Sequence, residues 1–410
     1  MPVVTVSQAP FHLDYRPAAI HYGRGSVDNL GTILDDEGCQ RAMIFCGKNT
    51  GASTSLMDPI REALGDRLVD IYTGSTPAKH IDAVYEAAER IAAQSIDILI
   101  PVGGGATLDM ARGIRVLAAH EASLATLRNR INRGESIELP NELLPIVGIP
   151  TTLAGSGLSI VGGARQAAEY QGTPDPDAAS SLAGYTVIDP RLMPTALVYD
   201  PALFETTPTN VLAASAMNGF DKAIEILYTR NATPITDGTG IQALRHFHAG
   251  LPALHPDKTG IDDAVLGLIL GQYGMAQEHA YRAAIIHAFG HGFSLYYDIA
   301  QGDIHAIVAP RVLEYVFSQV DGRRRLIAEG LGIETADRSD DGIADDIVAI
   351  VRDIRDALDR PTRLRTIPEL DRNDLTLIAE KIEGDLFMEN NPPGLDPATN
   401  DIEAILEDLW

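Results

Sequence analysis

Asn218 and Lys222 stand four residues apart in SAMNGFDKAIEILY, and His287 and His291 four apart in YRAAIIHAFGHGF. That spacing puts each pair on one face of a helix. Gln301 follows in the loop DIAQGD, and His305 lies just beyond it in DIHAIVAP. Together these side chains offer an ammonium, imidazoles able to carry a proton, and two neutral amides. An ammonium repels a divalent cation, and amides supply neither carboxylate charge nor imidazole basicity, so the set suits metal poorly. It suits the stabilisation of a developing anion by Lys222, with a proton from His287 or His291. A lone polar residue at a helix interface is usually structural. Two such pairs in apolar helices argue for a site.

Three glycine-containing segments in the first half point to a second kind of chemistry. PVGGGATLDMARG reads as a strand that turns through Gly103, Gly104 and Gly105 into a helix carrying Asp109. Bare backbone at such a turn can approach a pyrophosphate, and the helix N-terminus offers free N–H groups. IPTTLAGSGLS adds the hydroxyls of Thr151, Thr152 and Ser156 on a loop that can fold around phosphate or ribose. In FCGKNTG a strand ends at Gly47, followed by Lys48 and Asn49, a cation and donors where a carboxylate would exclude a ribose 2′-phosphate. NADP(H) is the favoured cofactor, with NAD(H) also possible.

The elements that must position these residues fall into two halves. Up to about residue 205, β-branched runs (RAMIFCG, IDILIPVGGG, LLPIVGIPTT) alternate with helical patterns such as HIDAVYEAAERIAAQ. That is the pattern of βαβ units and a parallel, Rossmann-like sheet, which TALVYDPALFETTP closes. FHLDYRPAAIHYGRGSVDNL is expected to form a hairpin or strand pair before the first crossover. From residue 206 to 410 strand signals vanish, and DDAVLGLILGQYGMAQEHAYRAAIIHAFGHGF reads as one long helical stretch. Acidic stretches such as ETADRSDDGIADD read as solvated connections. The expectation is an α/β dinucleotide-binding domain, 1–205, and an all-α domain, 206–410, with cofactor and substrate meeting in a cleft between them.

The same segments resemble the iron-containing alcohol dehydrogenases over nearly the whole chain. That resemblance implies a dehydroquinate synthase-like architecture and a divalent cation held by one Asp and three His. The positions corresponding to those ligands are Asn218, Lys222, His287 and Gln301, of which only His287 keeps the family residue; no metal is expected. The glycine turn is similar to the family's GGGSxxDxAK, with Ala106 for Ser and Arg112 for Lys. IPTTLAGSGLS is similar to PTTxxGSE, with Gly157 for Glu. The family's lysine before VIDP falls near Gly184, with no lysine nearby. His291 matches a histidine placed near the nicotinamide. Asn218, DPRLMPTALVYDP and the THA-like element at His305 resemble the maleylacetate reductase branch, although that branch usually keeps His at 222 and 301.

The resemblance implies an NAD(P)H-dependent oxidoreductase that delivers hydride, without metal, to an activated C=C, imine or carbonyl of a small carboxylated substrate. Two other readings remain open. One is a metal-dependent alcohol dehydrogenase with a relocated site, His287 and His291 with His279 or His305. The other is a catalytically silent dinucleotide-binding protein.

Composition narrows the partners. Of 410 residues, 57 are Asp or Glu and 32 are Lys or Arg, a net charge of −25. That balance argues against nucleic acid and anionic membrane as partners. Only five of the basic residues are lysines: Lys48, Lys79, Lys222, Lys258 and Lys381. An acidic, lysine-poor surface suits solubility in high salt, and a GC-rich genome would also favour arginine. Two cysteines give no disulfide framework or metal-ligand spacing, and Cys46 reads as a buried strand residue. No apolar run approaches a bilayer span, so the chain reads as cytoplasmic, and a homodimer is the expected assembly.

Overall fold

The computed structural model describes residues 11, 15–165, 184–277, 281–294, 296–297, 299–368 and 370–410. These form two units. One comprises Arg16–Thr152 and Ser156–Thr207. The other comprises Pro208–Trp410, joined by the short loop Leu153–Gly155 and by Tyr15.

The first unit is built on strands β1 (Ala19–Tyr22), β2 (Ala42–Gly47), β3 (Leu68–Ser75), β4 (Ile98–Gly103), β5 (Val147–Pro150) and β8 (Ala196–Tyr199). They pair in parallel in the order β1-β8-β5-β4-β2-β3. Strands β4, β5 and β8 are buried along their whole length, which is why they read as unbroken apolar runs. Along β2 the pleat sends Met43 and Phe45 to one core and Ala42, Ile44 and Cys46 to the other. Both cysteines are buried and unpaired.

The helices of this unit are α1 (Leu30–Asp36), α2 (Lys48–Ala52), α3 (Thr54–Leu64), α4 (Ile81–Gln94), α5 (Gly105–Ala119), α6 (Leu124–Asn132) and α7 (Pro201–Phe204). A two-stranded antiparallel ribbon, β6 (Val161–Arg165) with β7 (Gly184–Ile188), completes it. TALVY gives β8, the last strand of the sheet in chain order, and it inserts between β1 and β5, because β1 pairs in parallel outside it. Among the described residues the opening segment gives one strand, β1; the rest of the expected hairpin or strand pair falls on residues outside the described ones.

The second unit is helical: α8 (Thr209–Tyr228), α9 (Pro234–Gly250), α10 (Ile261–Gln272), α11 (Ile285–Ser294), α12 (Gln301–Gln319), α13 (Arg324–Leu331), α14 (Asp340–Ala357), α15 (Leu375–Glu383) and α16 (Thr399–Leu409). Helix α8 is buried around its whole circumference from Ala216 to Tyr228, as a central helix must be. The long helical stretch expected after Asp262 is broken. α10 ends at Gln272, Gly274 takes a φ of +80°, and α11 begins only at Ile285. The buried Arg282 guanidinium holds the intervening turn by donating to the carbonyls of Gly274 (2.6 Å) and Asn231 (2.8 Å). The acidic stretch ETADRSDDGIADD is only partly a connection, since Ser339 caps α14 and Asp340 and Asp341 fill its first turn. Among the described residues no helix is long and apolar enough to cross a membrane.

Candidate active site

Three helices of the second unit bring together the polar residues read from the sequence. Asn218 and Lys222 come from α8, His287 and His291 from α11, and Gln301 and His305 from α12. Gln301 is not in a loop; it opens α12, so Gln301 and His305 are also one turn apart on a helix. The helix starts without a side-chain cap, and Asp303 and Ile304 N–H groups close its first turn on the Ala300 carbonyl. Gly290 permits the crossing of α11 and α12, because a Cβ there would lie 2.3 Å from His305 Nε2 and 2.8 Å from Gln301 Cγ.

The amides and the ammonium are joined directly. Lys222 Nζ donates to Asn218 Oδ1 at 2.9 Å and to the Ala154 carbonyl at 2.5 Å. Asn218 Nδ2 donates to Gln301 Oε1 at 3.0 Å, and Asn218 Oδ1 also faces His287 Nε2 at 3.3 Å. Every member of this cluster except Gln301 is buried, so the ammonium acts through little screening water.

Behind the cluster lie two carboxyls that sequence reasoning did not place in the site. Glu225, on α8, accepts backbone N–H groups of Ala284, Ile286 and His287 at the start of α11 and meets His287 Nδ1 at 2.5 Å. Burial pushes this carboxyl up to about 7 against the pull of those donors. The same burial, with Lys222 nearby, holds the His287 imidazolium well below the ordinary histidine range, so His287 is neutral. Asp221 approaches His305 Nδ1 at 3.1 Å, both wholly buried. Desolvation raises Asp221 and lowers His305 far from their usual values. The His305 ring stands edge-on to His287, with centroids 4.6 Å apart. His305 therefore belongs behind the site and supports it. Glu225 was findable, since 218, 222 and 225 share one helical face.

His291 is different in kind. Its side chain is 39% exposed, and its Nδ1 lies 3.0 Å from Asp385 Oδ2. Phe387 packs on it at 4.6 Å and stacks on Tyr281 at 5.0 Å.

In the first unit the cofactor segments converge at the carboxyl ends of the parallel strands, where ligands of such sheets bind. Gly103 ends β4 with a φ of +149°, and a Cβ there would meet Thr107 Oγ1 at 2.8 Å. Gly104 lies against Thr152 and Gly105 against Ser156, while Thr151 N–H donates to the Gly103 carbonyl. Asp109 is gripped by two cations, Lys79 at 2.5 Å and Arg112 at 3.1 Å. The strand of FCGKNTG ends at Gly47 as read, but Lys48 opens the short helix α2, where it and Asn49 are exposed. Gly184 begins β7, and the segment before it lies outside the described residues.

The description "Iron-containing alcohol dehydrogenase" matches residues 17–201, and the C-terminal model of the same family matches residues 212–410. The chain belongs to the iron-containing alcohol dehydrogenase family. It is an oxidoreductase, a dehydrogenase or reductase in its chemistry. It is 27% identical to the NAD-dependent methanol dehydrogenase of Bacillus methanolicus, over 92% of this chain and 94% of that one. It is 23% identical to the maleylacetate reductase of Burkholderia cepacia, over 80% and 82%. A solved 1,3-propanediol oxidoreductase has the same fold, with a TM-score of 0.83, 21% identity and coverage of 96% and 98%.

The family implies a divalent metal, and the residues here do not fit one. At the corresponding positions an ammonium stands among two amides and one imidazole, and Asn218 Oδ1 already accepts from that ammonium. A second cation there would face Lys222 at close range with no carboxylate in the set to offset it. Among the described residues no group of three or more His, Cys, Asp or Glu side chains is arranged to hold a metal. Of the relocated sets, His287 and His291 with His305 is described and forms no such group, and the one with His279 lies outside the described residues.

Proposed function

We propose that the protein reduces an activated C=C bond conjugated to a carbonyl, in a small carboxylate-bearing substrate, using NADPH and no metal. The observation that carries this reading is the Lys222 ammonium, buried and hydrogen-bonded to Asn218 where the family places a metal ligand. A dinucleotide held by the Gly103–Gly105 turn and by Thr151, Thr152 and Ser156 would supply the hydride that the β-carbon accepts. The π pair moves to the carbonyl oxygen as an enolate, and a proton then adds to the α-carbon. The product is the saturated carbonyl compound and NADP⁺. An enolate spreads its charge, so one ammonium and the Asn218 and Gln301 amides can stabilise it.

His291 is the better proton donor of the two histidines. It reaches solvent, from which it can be recharged, and Asp385 sits on its Nδ1. His287 is buried, neutral and tied to Glu225, which suits it to fixing Asn218. Gly47 and Lys48 support NADPH over NADH, and a homodimer is the proposed assembly.

The test is turnover by metal-stripped enzyme with NADPH against matched panels of enoates, imines and simple aldehydes, with products identified by NMR. Reduction of the C=C bond in chelator is expected. Activity confined to simple aldehydes, and restored only by added metal, would overturn the proposal.

A further inference from the structure

Lys79 was not singled out by its sequence, yet it is one of five lysines in a chain of net charge −25. It lies in the loop after β3 with a φ of 55°, a backbone region seldom used by a residue with an unbranched, charged side chain. Its backbone N–H closes a turn on the Thr76 carbonyl. From that turn Nζ reaches Asp109 Oδ2 at 2.5 Å, on the second turn of α5. The other Asp109 oxygen accepts from Arg112, whose buried guanidinium also donates to the carbonyls of Ser156 and Gly157, each at 2.6 Å. One relay of charges thus fastens the loops after β3 and β5 to the helix that follows β4. All three loops lie at the carboxyl edge of the sheet.

The relay is lopsided. Asp109 is a single carboxylate between two cations, so the group carries one net positive charge. Arg112 is sealed in, whereas the Lys79 side chain remains 31% exposed. The segment that carries it follows Ser75, whose hydroxyl bonds Thr107 Oγ1 at 2.8 Å beside Gly103, and in so acidic a protein an anionic cofactor needs local cations to offset the repulsion.

We infer that Lys79, held in place by Asp109, is a phosphate-directed cation for the dinucleotide's pyrophosphate, a role separate from that of Lys48 at the adenine ribose. This rests on the dinucleotide reading of the first unit. Asp109 and Arg112 are positioning residues in this arrangement, and Asp109 serves the cofactor through Lys79.

The experiment measures binding of NADH and NADPH, at low and high salt, to wild type, Lys79→Gln, Lys79→Arg and Lys48→Met. Gln removes the charge and can still donate to Asp109, so the loop keeps its anchor; thermal melting verifies the fold. Lys79→Gln is expected to weaken both cofactors about tenfold, the scale of one partly exposed charge-assisted hydrogen bond, and to flatten the salt dependence. Lys79→Arg should restore most of the affinity, and Lys48→Met should weaken NADPH alone. Unchanged affinities in Lys79→Gln would overturn the inference, as would a loss confined to NADPH. If wild type binds neither dinucleotide, the functional reading fails first and this one falls with it; binding by wild type separates the two failures.

Discussion

Lys222 Nζ lies 2.9 Å from Asn218 Oδ1, one helical turn away, and that bond points the Asn218 amide. With its oxygen taken by the ammonium, Asn218 must present Nδ2 to Gln301, which it meets at 3.0 Å. The orientation of both amides thus follows from the charge on Lys222. A neutral residue at 222 would remove a cation and also release the donors beside it.

Lys222→Met keeps the bulk of the side chain and deletes the charge. A fall in kcat of about 10²–10³ is expected, the scale for loss of one electrostatic stabiliser. NADPH affinity should change far less than kcat, although Lys222 also holds the Ala154 carbonyl of the cofactor loop. Steady-state kinetics with cofactor titration and a thermal melt distinguish this from a structural role. Lys222 could instead be one half of an ion pair, and among the described residues Asp221 is a carboxyl whose titration it shifts. Full turnover with a lowered Tm would assign Lys222 to that pair.

The purified protein is expected to carry no stoichiometric iron or zinc at Asn218, Lys222, His287 and Gln301, and to keep its activity in chelator. Elemental analysis after dialysis tests this. A restored ligand set, Asn218→Asp with Lys222→His and Gln301→His, should gain metal affinity, because it supplies the charge and basicity now missing. One metal per chain in the wild type, with activity lost to chelator, would contradict the reading.

What the sequence made legible was local. Ile98–Gly103 and Val147–Pro150 declared themselves because burial on both faces forces unbroken apolar runs. The amphipathic helix Ile81–Gln94 showed its period just as directly. The pairs 218/222 and 287/291 were readable because a helical turn has a fixed length. The break between α10 and α11 was not, since it depends on Arg282 and on Glu225, a carboxyl 59 residues before the first N–H it caps. Lys79 with Asp109 is 30 residues apart, and nothing near either one announces the other. Contacts of that range are decided by packing.

For the cofactor, Gly47→Asp is expected to shift preference from NADPH toward NADH. A carboxylate there would repel a 2′-phosphate and accept from a free ribose hydroxyl. The substitution is tolerable in the fold, because a Cβ on Gly47 would lie 3.4 Å from the Ser75 carbonyl oxygen, close to ordinary contact. Measured dissociation constants for the two cofactors settle it. Tighter binding of NADH than NADPH by the wild type would show that Lys48 does not read the extra phosphate.

Asp221 and His305 give a prediction about pH whose sign can be worked out. Folding raises the Asp221 carboxyl well above 3.8 and lowers the His305 imidazole well below 6.5, both mainly by burial. A raised folded value gives stability that is lost as pH climbs above the unfolded one. A depressed value on a base gives stability that is lost as pH falls below the unfolded value. Within the range from 3.8 to 6.5, wherever the pH lies below the raised Asp221 value and above the depressed His305 value, the two therefore cancel. The unfolded chain holds the proton on His305, the folded chain holds it on Asp221, and the number bound is the same. Removing either partner should expose the other. Asp221→Asn leaves His305 alone, so stability relative to wild type should fall as pH drops through this window. His305→Gln leaves Asp221 alone, so relative stability should fall as pH rises through it. The limiting slope in each case is about 1.4 kcal/mol per pH unit, with opposite signs. Denaturant melts of the three proteins at intervals across the window measure both slopes. Parallel curves would mean that the buried pair does not exchange its proton on folding.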